Sequence, residues 1–132
     1  MRAELLTAIT SATSTLTQFA VSTELPWEQN GIPLFRKNMK KIYVDRPNLE
    51  ETTLLPTLNG GEVFQNDFIT EVYLAVDAKN PPSQLDSAIT AILSCKSKTG
   101  IVSFGNESDY TIDKQEDVLT YTFEFRLNIA TT

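Results

Sequence analysis

The stretch from Val118 to Ile129, VLTYTFEFRLNI, restricts the possible folds of this chain more than any other segment. From position 119 onward its odd positions are apolar and its even positions are polar. Successive side chains of a strand point to opposite faces, so the alternation predicts a strand with one buried and one solvated face. A register slip of one residue would bury Glu124 and Arg126, so the pattern also sets the register.

The N-terminal half predicts one helix followed by short extended segments. Apolar residues from Leu5 onward form a helical stripe through Ala12, and the run rich in Ser and Thr from Thr10 to Thr17 ends it. Gln18 to Thr23 and Lys41 to Val44 are the next strand candidates. Leu25 to Lys41 is loop-like, since Pro26, Asn30-Gly31 and Pro33 interrupt it. The loop also contains four apolar residues: Trp27, Ile32, Leu34 and Phe35. They favour a small satellite core over a partner-binding surface.

The segment from Asp45 to Gln65 is a long polar excursion. Pro56 interrupts it, and Asn59-Gly60-Gly61 marks the tip of a hairpin. Few apolar residues anchor this segment. We therefore expect it to be exposed, mobile in a free subunit and ordered in an assembly.

The C-terminal half contains the clearest elements. Phe68 to Asp77 is apolar on both faces, which predicts a central strand with material packed on each side. Asn80 is expected to cap an amphipathic helix that begins at Pro81 and ends between Ser97 and Gly100. Ile101 to Phe104 and Tyr110 to Asp113 are further short strands. The whole order predicts a single α+β domain over residues 1–132, a mostly antiparallel sheet with the two helices packed on it and a projecting loop or hairpin at 45–65.

Composition narrows the possible functions. The net charge is −6, which argues against nonspecific binding to nucleic acid or to an anionic membrane. The chain has no histidine, the commonest general base and metal ligand. Its single cysteine, Cys95, excludes an internal disulfide and favours a packed, inert thiol. No stretch has the length of a membrane span, and we expect a protein that folds in a reducing cytoplasm.

The sequence contains no pattern that points to catalysis or to a cofactor. There is no phosphate-binding glycine loop, no nucleophile elbow and no histidine-bearing zinc motif. Five acids cluster late in the chain: Glu107, Asp109, Asp113, Glu116 and Asp117. Their spacing does not match a calcium-binding EF-hand loop, so a solvated acidic edge is the favoured interpretation. We expect no enzyme, no cofactor and no metal.

A group of basic residues stands out against the acidic background. Arg36, Lys37, Lys40, Lys41 and Arg46 are five of the eleven basic residues and lie within eleven positions. A solvated loop is the simpler interpretation. The alternative is that this loop docks on an acidic surface, such as the acidic end of another copy. The candidate interface residues are then these five together with Glu50, Glu51, Glu107 and Asp109.

Several segments, taken together, are similar to a known family. They are EVYLAVDAKN from Glu71 to Asn80, SQLD from Ser83 to Asp86, NGIPLFRKNMKKIYV from Asn30 to Val44, and DYTID from Asp109 to Asp113. With the N-terminal helix and the alternating last strand, their order resembles the tail terminator (tail completion) proteins of long-tailed bacteriophages, the lambda type in particular. The resemblance covers most of the chain and depends on the order of patterns.

The resemblance implies a structural protein of the virion. Members assemble as a hexameric ring on the finished tail tube, stop its polymerisation and present the surface that joins the DNA-filled head. It implies a homo-oligomer at the head-proximal end of the tail, assembled in the cytoplasm of the host bacterium. The expected partners are the tail tube protein and a head-neck connector protein, with DNA passing through the ring without specific binding and no membrane partner.

Other functions remain open from the residues alone. Another neck or head-completion protein of a phage would share size, charge and ring assembly. A small ligand-binding α+β domain is a second alternative, and an enzyme that uses only carboxylates is a third.

Overall fold

The computed structural model describes residues 2–27, 31–56, 60–98 and 110–131. Within these ranges, the side chains at 50, 51, 55, 56, 96–98 and 127–131 lie outside the description. The described helices are α1 (Arg2–Ala12), α2 (Leu34–Lys37) and α3 (Leu85–Lys98). The described strands are β1 (Ala20–Val21), β2 (Lys41–Val44), β3 (Asn48–Pro56), β4 (Glu62–Asp77), β5 (Thr111–Gln115) and β6 (Val118–Thr131).

These strands form one sheet in the order β1-β2-β4-β6-β5, and β3 also pairs with β4. All pairs are antiparallel except the short β1–β2 pair. The longest ladder joins β4 to β6 in continuous register from Phe64↔Thr131 to Asp77↔Val118. On the other side of β4, β2 pairs with its second half and β3 with its first half. The predicted α+β class with a mostly antiparallel sheet is confirmed.

The larger core lies between the sheet and the helices α1 and α3, on what we call the α1/α3 side. Its sheet residues include Val72, Leu74 and Phe123, each without exposed surface, and Ile9 and Ile92 meet them from the helices. Cross-strand partners such as Val72 and Phe123 point to the same face, so the even positions of β4 and the odd positions of β6 share this side. The alternation predicted for the last strand is confirmed at Tyr121, Phe123 and Phe125, which are buried between partly exposed neighbours from Thr122 to Arg126. Thr120, which was expected on the solvated face, is buried.

A smaller cluster occupies the opposite face, which we call the α2 side. Phe35, Tyr43, Tyr73 and Ala75 are buried together, with Leu34 and Val118 packed against them. Phe35 and Tyr73 stack with their ring centroids 4.6 Å apart. The prediction that β4 is a central strand covered on both faces is therefore correct. Of the four loop residues expected in a satellite core, Leu34 and Phe35 belong to it, whereas Trp27 and Ile32 remain 44% and 42% exposed.

Four further expectations need correction. Helix α3 begins at Leu85 and not at Pro81. Asn80, Pro81 and Pro82 precede the helix, and the Leu85 N–H donates to the Pro82 carbonyl (3.1 Å). The strand predicted over residues 18–23 is limited to the two residues of β1. Part of the loop 25–41 is helical, as α2. Most of the excursion 45–65 is regular strand, since β3 pairs with β4 from Asn48↔Ile69 to Pro56↔Glu62. The turn lies between these strands at the predicted Gly60, whose φ is 77°. The candidate strand 101–104 lies outside the described residues.

Among the described helices, none is long and apolar enough to cross a membrane.

Candidate protein-interaction surfaces

Four of the five predicted basic residues lie at one corner of the molecule. Arg36 and Lys37 form the last turn of α2, Lys40 follows in the connecting turn, and Lys41 opens β2. We call these four residues the basic corner. The Lys40 backbone has φ 72°, and its N–H donates to the Ala75 carbonyl (2.9 Å), which fixes the turn against β4. The fifth residue, Arg46, lies five positions beyond Lys41, about 16 Å further along an extended chain.

Arg36 already forms an ion pair within its own chain. Its guanidinium pairs with the Asp113 carboxylate (3.0 Å), and its side chain is only 32% exposed. Asp113 belongs to β5, and the following turn contributes a second ion pair, Lys79 to Asp117 (3.5 Å). Two acids of the predicted acidic edge are thus already matched by basic residues of the same chain.

The acidic residues predicted to meet the basic loop are not placed by the structure. Glu107 and Asp109 lie outside the described residues. Glu50 and Glu51 lie in β3, but their side chains are not described. The predicted pairing of basic loop and acidic edge between copies therefore stays a prediction.

A different acidic row crosses the sheet on the α2 side. The Asp45 N–H donates to the Glu71 carbonyl (2.9 Å), and Glu71 lies directly opposite Glu124 on β6. Arg126 pairs with Glu124 (2.8 Å) and offsets part of this charge. The sequence distributes these three acids over 79 positions, so only the strand register brings them together.

Aromatic side chains border that row. The Trp27 indole packs edge-on against Phe35 and Tyr73 and donates from Nε1 to Asp45 (3.2 Å). The Tyr73 hydroxyl donates to Glu71. Burial, together with this bond to a carboxylate, raises the pKa of Tyr73 well above its ordinary value. Trp27 nevertheless keeps 44% of its surface exposed. It packs against the satellite core and is also part of the surface.

The β3–β4 hairpin carries exposed apolar side chains on the α1/α3 side. Leu54 pairs with Phe64, and Leu49 with Phe68, so these four side chains share one face. Leu49, Leu54 and Phe64 are 55%, 51% and 41% exposed. We call these three residues the distal apolar face. The distal apolar face is not among the predictions from the sequence. A hairpin with its turn centred on Asn59 would nevertheless pair Leu54 with Phe64.

Two surface depressions are lined by described residues. One depression of about 440 Å³ is lined by Arg36, Gln115, Glu116 and Val118, and another of about 400 Å³ follows the outer face of α3. Within the described ranges, no three Asp, Glu or Cys side chains converge as metal ligands would.

Comparison with known proteins gives no match: no protein-family model fits the chain, and no curated protein matches it.

Proposed function

We propose that this protein is a structural subunit that assembles as a hexameric ring, of the kind that terminates the tail tube of a long-tailed bacteriophage. In this role the ring caps the tube, stops its polymerisation and presents a surface for joining the head. The proposal combines the family resemblance of the sequence with the surfaces described above.

The observation that carries the proposal is the β3–β4 hairpin. It exposes Leu49, Leu54 and Phe64 on one face, with the hydrogen-bonded pair Thr52–Asn66 between Leu49 and the other two. Large apolar side chains grouped on a surface are typical of contacts between proteins. A hairpin that displays such residues is better suited to an assembly than to an isolated subunit.

The distribution of charge supports the same role. Residues 31–46 contain five basic residues and one acid, whereas residues 48–67 contain four acids and no basic residue. A closed ring needs heterologous interfaces, in which one patch meets a different patch of the neighbour. Oppositely charged segments on one chain provide two such patches, because like-charged pairings are disfavoured.

The alternatives make different demands on the surface. A ligand-binding domain is expected to have a deep apolar pocket with a few convergent polar groups, and bound ligand in a monomer would favour that alternative. Another neck protein of a phage would share ring assembly and differ in what the ring binds.

Two measurements test the proposal. Native mass spectrometry and electron microscopy of the full chain should show a hexameric ring with a central opening. Addition of the protein to polymerising tube protein of the same phage should shorten the tubes. A ring that leaves tube length unchanged would favour another neck protein, and a persistent monomer would contradict the assembly itself.

A further inference from the structure

We infer that neighbouring copies of this chain meet through two different apolar patches, the distal apolar face of one copy and a patch on the α2 side of the next. This inference rests on the proposed function and specifies its subunit interface. The second patch consists of Trp27, Ile32 and Met39, which we call the loop patch.

The distal apolar face has the properties of an interface rather than of a core. Its side chains lie on regular paired strands, so their positions are held by the ladder between β3 and β4. More than half of the surface of Leu49 and Leu54 is nevertheless exposed. Glu62 lies two residues before Phe64 on the same face and gives the patch an acidic border.

The loop patch also has buried side chains packed beneath it, at Trp27. Trp27, Ile32 and Met39 are 44%, 42% and 40% exposed. Trp27 rests on Phe35 and Tyr73, and an isolated bridge joins it to Pro33 next to Ile32, so the Trp27 part of the patch has a packed base. Aromatic and Met side chains are enriched in the cores of protein interfaces. Lys37 and Lys40 flank Met39 in the sequence and give this patch a basic border.

Opposite charge identifies the occupant as another copy of the chain. The distal apolar face belongs to the segment 48–67, which has only acidic charges, and the loop patch belongs to the segment 31–46, where basic charges dominate. Two copies of the same patch would place like charges against each other. Contact between unlike patches joins apolar surfaces and opposite charges together.

The two patches cannot meet within one subunit. The distal apolar face lies on the α1/α3 side, whereas Trp27 packs against Tyr73 on the α2 side. Phe64 and Tyr73 are nine residues apart on β4, about 30 Å along the strand. Each subunit therefore offers one patch to each of two neighbours. This is the head-to-tail arrangement that closes into a ring.

Two double variants of the full chain test the inference. Leu49→Thr with Leu54→Thr removes the distal apolar face, and Ile32→Ser with Met39→Ser removes the loop patch while leaving Trp27 in place. Each variant alone should sediment as a monomer under conditions where the wild type forms rings. An equimolar mixture should form heterodimers and nothing larger, because only one functional interface can form. Urea unfolding of each variant checks that the fold is intact.

Cross-linking supplies a second readout that does not depend on the strength of a single interface. A chain with both Ile32→Cys and Leu54→Cys should give a ladder up to the hexamer with a short bismaleimide. Chains with either substitution alone should give none, because the native Cys95 is 1% exposed. Dimers from a single substitution, or rings formed by both double variants, would overturn the inference while the ring itself stands. A wild-type chain that never assembles would overturn the proposed function as well.

Discussion

Phe123 and Glu124 show how one strand separates two environments by a single residue. Phe123 has no exposed surface and contacts Tyr110 at a ring centroid distance of 5.4 Å. Glu124 points to the other side, where it pairs with Arg126 and keeps 34% of its side chain exposed. The difference between the two positions comes from the pleat of the strand, since both residues pair with β4 in the same ladder.

Phe123→Ala should therefore lower the free energy of unfolding by about 3–5 kcal/mol, because it leaves a cavity in a packed core. Glu124→Ala should lower it by less than about 1 kcal/mol, the usual range for a partly exposed ion pair. Urea unfolding of both variants measures the two losses. Equal losses would contradict the assignment of opposite faces.

Tyr73 connects the satellite core to the acidic row, and its ionisation should affect stability. Its pKa in the folded protein is raised above the ordinary 10.0, first by burial and then by the hydrogen bond to Glu71. The folded state therefore favours the protonated phenol. This contribution to stability is fully present below pH 10 and is lost as the pH rises above it.

Replacement of Tyr73 by Phe should make the stability less sensitive to alkaline pH. Above pH 10, the free energy of unfolding of the wild type should fall more steeply than that of Tyr73→Phe, by up to about 1.4 kcal/mol per pH unit. Denaturant unfolding between pH 8 and about pH 12 compares the two slopes, and a constant offset from the lost hydrogen bond does not affect the comparison. Parallel curves would show that Tyr73 ionises at its ordinary pKa.

At the scale of elements, strong periodicity was predicted well and long-range pairing was not. The bounds of β2 agree with the prediction, and α1 ends at Ala12 as expected, because local patterns determine both. The segment 45–65 has few apolar anchors in the sequence: Leu49, Leu54, Leu55, Leu58, Val63 and Phe64. Its pairing depends on β4, which lies beyond the turn, and β4 is itself paired with β6 at separations of 41 to 67 positions.

The same difference between local patterns and long-range pairing applies to the candidate surfaces. The basic corner was visible in the sequence because its members are neighbours in the chain. The acidic row of Asp45, Glu71 and Glu124 was not, because the register of three strands assembles it. The predicted start of α3 at Pro81 is wrong for a local reason. Proline is favourable at the first helical position, but here Pro81 and Pro82 lie in the turn before the helix.

The β3–β4 hairpin makes a prediction about amide exchange. Residues 64–69 of β4 lie between β3 and β6, so their amides should be protected in the free subunit. No other described strand pairs with β3, so about every second amide of β3 should exchange fast. Hydrogen exchange measured by NMR would resolve this alternation. Uniform fast exchange across 48–69 would instead support the mobile excursion expected from the sequence.

At the scale of the whole molecule, basic and acidic residues are concentrated in different segments of the chain. Few of the described large apolar side chains are exposed. The basic corner lies beside the loop patch, and the acidic hairpin carries the distal apolar face. Exposed charges add little to the stability of a fold but strongly influence which surfaces can meet. The charge pattern is therefore best tested through assembly rather than through unfolding.

Reversal of two charges in the basic corner should block assembly and leave the fold intact. Lys40→Glu with Lys41→Glu is the appropriate pair, since both side chains are exposed and Arg36 is already bound to Asp113. Lys79→Glu with Lys114→Glu changes the net charge equally, outside the basic corner, and serves as the control. It also removes the Lys79–Asp117 ion pair, but both side chains of that pair are largely exposed, so the cost to stability should be small. Sedimentation at low and high salt should show rings for the wild type and the control at low salt, and smaller species for the Lys40/Lys41 variant.

Salt separates this electrostatic effect from a purely apolar one. Charges at the rim of an interface are screened over about 10 Å at 0.1 M salt, so wild-type rings should weaken as the salt concentration rises. The same salt should reduce the difference between the Lys40/Lys41 variant and the control, because it also screens the new repulsion. If the Lys40/Lys41 variant forms rings that are indifferent to salt, the basic corner is a solvated surface, and the apolar patches alone would hold the subunits together.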